Sequence, residues 1–161
     1  MLNYNHARET NYKLILPGKE FEGINYFITT CELPSTSIVP IDAYYQGAQC
    51  SVPGNTMTYD DFSFTFMVDE DYSNYFLIYD WLYQIAHGTN KSPLDLYKDL
   101  SLHILTNNKT ESAIIAFEGA YPTSLGSLSF NSQSTSPQDL STTCSIKYQK
   151  STLKTRRIHE I

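Results

Sequence analysis

Residues 53–71, PGNTMTYDDFSFTFMVDED, restrict the fold of this chain more than any other stretch. A Pro-Gly turn leads to an acidic pair, then to alternating aromatics, then to a second acidic cluster. Phe62, Phe64, Phe66 and Val68 fall on one side of an extended chain, and Ser63, Thr65 and Met67 on the other. That is the period-two pattern of a half-buried strand, predicted over 59–68. Asp69, Glu70 and Asp71 follow at once and open SNYFLIYDWLYQIAHG, predicted as a helix from 71 to 87. Acidic groups favour a helix N-terminus, so Asp71 is the expected cap, and Gly88 supplies the stop. Tyr75, Tyr79, Leu82 and Ala86 recur at helical spacing. Tyr75, Tyr79 and Leu82, with Trp81, are the residues expected to pack the helix.

The rest of the chain reads as strands. One is predicted at 11–16, closed by Pro17-Gly18, and another at 24–33, ended by Pro34. Residues 37–52 are polar, aromatic and centred on Gln46-Gly47-Ala48, the pattern of a long hairpin arm. Ile38, Val39, Ile41, Tyr44, Tyr45 and Val52 give it more apolar surface than a solvated loop carries. Further strands are predicted at 100–105 and 113–118 around an Asn107-Asn108 turn, with an apolar segment at 125–130. A surface loop follows at 131–139, and a last strand at 140–149 alternates Thr142, Cys144, Ile146 and Tyr148 against Thr143, Ser145 and Lys147. The expectation is a mainly β domain over 1–149, an antiparallel two-sheet sandwich or barrel with one flanking helix and a protruding hairpin. Residues 150–161 are expected to form a basic extension.

Charge and side-chain chemistry exclude several functions. The chain of 161 residues carries a formal charge of −6. Lys150, Lys154, Arg156 and Arg157 against Glu160 give the extension +3, which leaves −9 on residues 1–149. An acidic body does not hold nucleic acid by neutralising phosphates, though nucleic acid can slide past it. Cys31, Cys50 and Cys144 are far apart and form no Cys-x-x-Cys, so they read as small side chains in a reducing compartment. His6, His87, His103 and His159 are scattered, and Asp60-Asp61 and Asp69-Glu70-Asp71 lack the spacing of a calcium loop. There is no Gly-x-Ser-x-Gly and no phosphate-cradling glycine loop. No enzyme, metal or cofactor is expected. No leader and no run of membrane length occurs, which predicts assembly in a cytoplasm and no membrane partner.

Several motifs follow one another in an order that resembles the tail tube proteins of contractile-tailed, T4-type bacteriophages and the related baseplate tube-initiator proteins. They are Leu33-Pro34 with 37–40, Pro53-Gly54, Tyr59-Asp60-Asp61-Phe62, the methionine-to-acid run 67–71, Asp80-Trp81, AYPTSLGSL at 120–128, and 145–148. Together they span about residues 12–149. The resemblance implies homo-hexameric rings that stack into the inner tube of a virion tail, assembled in the host cytoplasm. Sheath protein, tube initiator and tape-measure protein are the implied partners, and DNA passes through without specific binding.

On that basis Ile41, Tyr44, Tyr45, Gln46 and Val52 are the expected ring-stacking residues and Glu32 a channel-lining candidate, with Lys147 expected outside. The second reading is an initiator or terminal ring of the same fold. A third, of another class, is a β-barrel module that binds carbohydrate or peptide on its tyrosines.

Overall fold

The computed structural model describes residues 5–88 and 92–155. Its strands are β1 (Tyr12–Ile15), β2 (Ile28–Glu32), β3 (Thr36–Ile38), β4 (Ile41–Tyr45), β5 (Ala48–Val52), β6 (Met57–Tyr59), β7 (Phe62–Met67), β8 (Lys98–Leu105), β9 (Glu111–Leu125), β10 (Ser141–Lys147) and β11 (Lys150–Thr155). The helices are α1 (Glu22–Phe27), α2 (Ser73–His87) and α3 (Pro93–Leu96), with a 3-10 turn at Lys19–Phe21. The main sheet runs β1-β8-β9-β10-β7-β2, entirely antiparallel, with β11 on β9 beside β10.

The alternating aromatics of β7 make the core. Phe62, Phe64 and Phe66 are almost wholly buried, while Ser63, Thr65 and Met67 are half-buried on the other face. Phe117 of β9 meets Phe62 at 4.9 Å between ring centroids, and Leu100, Leu102, Cys144 and Ile146 fill the space around them. Each fully buried phenylalanine stabilises by roughly 1.5–3 kcal/mol relative to exposure.

β9 belongs to two sheets because it bends. Its first part pairs with β8 and β11, and its end pairs with β10. At the bend Gly119 has φ +65°, and a Cβ there would lie 2.9 Å from the Gln149 side chain. A side chain at 119 would be strained by the left-handed backbone and would have to push the Gln149 side chain aside. The Gly119 amide donates to Asp99 Oδ1 (3.0 Å) and the Gln149 amide to the Glu118 carbonyl (3.0 Å). Strands β10 and β11 therefore follow β9 around the corner, and the resulting barrel stays open between β1 and β2. There the Tyr12 hydroxyl donates to the Thr29 carbonyl (2.7 Å), and Asn25 of α1 brackets the Leu16 backbone with two hydrogen bonds.

Four sequence expectations change. The strand predicted over 24–33 begins as helix α1, because Phe21, Ile24 and Ile28 recur at three and four residues, and Phe21 and Ile24 are buried at that spacing. The strand predicted at 113–118 is longer: β9 runs unbroken from 111 to 125 and takes in the first residue of the apolar segment 125–130. The expected basic extension begins as β11, whose six residues pair with β9. Its remainder, 156–161, lies outside the described residues.

The helix is the fourth case. It turns Asn74, Ile78 and Trp81 inward, with Leu77 and Ile85 packed beside them, while Tyr79 is 51% exposed and Ala86 also faces out. Tyr75 and Leu82 lie half-buried at the margin. Tyr79 and Ala86 therefore belong to the outer face. The two stripes are about one residue apart, and only Asp80 and Gln84 are polar between 75 and 86, so periodicity alone could not choose. The choice is made by Asn74, whose amide donates to the Met67 carbonyl (2.8 Å) and whose Oδ1 accepts from the Asp69 amide (3.3 Å). Asp71 is not the cap: Tyr72 precedes the helix in a left-handed conformation, and Asp69 accepts a hydrogen bond from Ser73.

Trp81 is 5% exposed, stands edge-on to Phe21 at 5.6 Å, and donates its indole N–H to the Leu96 carbonyl (2.7 Å). Trp81→Ala is expected to destabilise the fold by about 3–5 kcal/mol. Tyr79→Ala, on the outer face, should change stability by less than about 0.5 kcal/mol. Chemical denaturation of the two variants checks the rotation of α2, and equal losses would contradict it.

Candidate functional site

The arm is built from two short ladders set end to end. β3 pairs with β6 and β4 with β5, and neither ladder joins the main sheet. At its root Ser35 hydrogen-bonds Asp60, and Ser37 and Thr58 share a 2.6 Å hydroxyl contact. A Cβ on Gly54 would lie 2.1 Å from the Val39 carbonyl oxygen, so the two ladders can meet only because residue 54 has none. At the tip Gln46 and Gly47 both have positive φ (48° and 78°), the primed turn whose twist suits a two-residue hairpin loop.

Register divides the tip into two unlike faces. Ile41 stands opposite Val52, Ala43 opposite Cys50 and Tyr45 opposite Ala48. Cross-strand partners share a face, so these six residues form one uncharged, largely apolar surface. The other face pairs Asp42 with Ser51 and Tyr44 with Gln49. All ten are exposed except Ala43, which is half-buried. Of the residues singled out from sequence, Ile41, Tyr45 and Val52 share the apolar face, Tyr44 lies on the polar one, and Gln46 is in the turn. Tyr44 and Tyr45 thus lie on opposite faces of the arm. Ala43, Ala48 and Cys50 complete the apolar face and were missed. Counting outward from Gln46-Gly47 at period two would have found them.

A second surface is the outer side of the sheet β2-β7-β10-β9. Thr30 stands opposite Thr65, Glu32 opposite Ser63, Thr143 opposite Thr65 and Ser145 opposite both Ser63 and Ser124. Thr65 and Thr143 hydroxyls are 2.9 Å apart, and Thr123 donates to the Ser145 carbonyl (3.2 Å). The face is paved with small hydroxyls. Glu32 lies at its β2 margin, and Lys147, in phase with Thr143 and Ser145, stands on this same face, 3.9 Å from Asp61. Lys147 is the residue expected outside a channel. The period of its own strand carries it here.

Reactive chemistry is not assembled on either surface. Among the described residues no group of three or more His, Cys, Asp or Glu is placed to hold a metal, and no helix is long and apolar enough to cross a membrane. His103 pairs with Glu111 (2.9 Å) on the sheet surface. Burial pushes the Cys31 thiol up to about 11 and the Cys144 thiol up to about 12. Thiols so raised are poor nucleophiles near neutrality. Cys50 is exposed.

Comparison with known proteins places this geometry. Residues 4–153 match the phage tail tube protein family. The chain belongs to that family. No curated protein sequence matches it. Among solved structures, the fold is similar to a chain of the sheath-tube complex of an extracellular contractile injection system, PVC, in the extended state. The TM-score is 0.65 at 15% identity, covering 94% of this chain and 93% of that one. It is equally similar to a chain of the tube-terminating cap of the anti-feeding prophage, at TM-score 0.65 and 15% identity over 96% and 95%. The Hcp1 protein of E. coli EAEC 042 aligns at TM-score 0.55 and 11% identity over 91% and 92%.

The buried acids predict an alkaline limit to stability. The Cys31 and Cys144 values are raised above the ordinary 9.0, and burial likewise raises Tyr12 and Tyr148 above 10.0. An acid raised in the folded state stabilises fully below its unfolded value and loses that contribution as pH climbs through the folded one. The denaturation midpoint should therefore fall as pH rises above 9.0 towards about 11 and 12. Cys144→Ala should flatten that slope relative to its own value at neutral pH; an unchanged slope would rule out Cys144 as a source.

Proposed function

We propose that this chain is the repeating subunit of a contractile-tail tube, a structural protein of the virion tail without enzymatic activity. Copies associate into hexameric rings, the rings stack, and the channel passes first the tape-measure protein and then DNA. Sheath protein surrounds the tube, a baseplate initiator seeds it, and assembly takes place in the host cytoplasm. The observation that carries this reading is the exposed arm, with an apolar face no monomer needs, on a domain of the tail tube family. A carbohydrate- or peptide-binding module is disfavoured, since the exposed tyrosines sit on separate elements: Tyr26 on α1, Tyr44, Tyr45 and Tyr59 on the arm, and Tyr79 and Tyr83 on α2.

A second reading keeps the fold and changes the position. Solved tube-terminating chains are as similar to this one as a chain from the sheath-tube complex, which supports a terminal or initiator ring. Negative-stain microscopy of the purified protein separates the two. Extended tubes support the repeating subunit, single rings the terminal one, and a monomer at every concentration, with and without a nucleating baseplate, sinks both.

The hydroxyl-paved sheet is the proposed channel wall, with Glu32 among its lining residues. Serine and threonine offer a passing phosphate backbone no cation to trap it, and the one lysine of β10, Lys147, lies 3.9 Å from the Asp61 carboxylate. Replacing Thr143 and Ser145 together with lysine should leave tubes intact and slow DNA ejection, with relief at high salt. Ejection at the normal rate would place this face away from the DNA.

A further inference from the structure

The tip of the arm lacks the support a stable hairpin needs. An isolated two-stranded hairpin is marginal in water, and β4–β5 pairs with no third strand among the described residues. One face is polar and already suited to solvent; the other presents Ile41, Tyr45 and Val52 around two alanines and Cys50, with no charge among them. We propose that the arm docks on a second copy of this chain through the Ile41–Val52, Ala43–Cys50 and Tyr45–Ala48 face alone, leaving Asp42, Tyr44, Gln49 and Ser51 in solvent. This assignment rests on the tube reading above.

Charge selects a second copy as the occupant. Each chain carries −6, so two copies repel wherever acidic surface meets acidic surface. A contact between identical chains needs a patch free of that charge, and this face is one. A basic partner would be met by carboxylates, and on the tip the sole carboxylate, Asp42, is on the opposite face. The contact is one-sided because the turn fixes register, and register fixes which residues share a face. A slip by one residue would exchange the faces.

The chain carries its own probe of this contact. Of its three cysteines only Cys50 is exposed, at the centre of the proposed contact, while Cys31 is half-buried and Cys144 buried. Maleimide labelling of the native protein near pH 7 should modify Cys50 in the unassembled chain, and its rate should fall at least about tenfold in assembled tubes. Two variants that add the same charge give an independent arm: Ala43→Asp should prevent stacking, whereas Gln49→Asp, on the other face, should polymerise normally. The Trp81 fluorescence of both, compared with the parent, reports that the domain is folded. Tubes in which Cys50 stays as reactive as in the free chain would overturn the face assignment and leave the tube reading standing. So would blocking by Gln49→Asp with tolerance of Ala43→Asp. Failure of the unmodified chain to polymerise under any nucleating condition would overturn both.

Discussion

The phenylalanine row of β7 is the contact on which the other elements depend. Phe62, Phe64 and Phe66 face Phe117 and the aliphatic side chains of β8 and β10, while the backbone of the same strand holds β2 on one side and β10 on the other. Both ends of β7 then position something outside the core. At its C-terminal end the Met67 carbonyl takes the Asn74 amide and sets the rotation of α2. Just before its N-terminal end Tyr59 and Asp60 form the root of the arm, with the Tyr59 ring 6.0 Å from Tyr148, which in turn meets Phe117 at 4.9 Å. A chain of ring contacts thus runs from the centre of the domain to the base of its protruding arm. The arm is anchored at the root and unsupported at the tip.

That asymmetry links stability to assembly. The core lies within one chain, yet among the described residues β1 and β2 each keep one free edge at the ends of the main sheet, and the arm has no third strand. Free strand edges and an exposed apolar face are hazards that soluble proteins ordinarily cover, shorten or charge. Here they persist together on one molecule of the tail tube family. In the proposed tube, repeated association would satisfy both features at once, closing edges within a ring and covering arms between rings.

The legible parts of the sequence were those where one local pattern had one structural solution. The period-two alternation of 62–68 admitted only a half-buried strand, and Gln46-Gly47 between apolar runs admitted only a hairpin. The unreadable parts were decided by contacts distant in sequence. Residues 22–27 carry β-compatible side chains but become a helix because Phe21 and Ile24 bury together. Helix α2 is apolar on nearly every side, so its rotation follows from Asn74 reaching β7, which periodicity does not contain. β11 looks like a charged tail until β9 offers it a free edge around the Gly119 corner. For the site, the arm was visible as an excess of apolar residues, but its two faces appear only once register pairs each residue with its partner.

The distribution of charge follows the same division. On the proposed reading, an acidic chain meets copies of itself and a polyanion moves past it, so it faces two repulsions of the same sign. Screening at physiological salt limits each to about 8 Å, so only residues at the contact itself decide the outcome. The apolar face of the arm would remove charge at the proposed contact between copies. On the hydroxyl face, hydrogen bonds among serines and threonines occupy the surface, and the one lysine of β10 lies within reach of Asp61. The acids can then remain over the rest of the surface, where they keep unassembled chains apart until a neutral face finds its seat. Association governed in this way should gain from added salt, which weakens repulsion between the bodies and leaves the apolar contact intact.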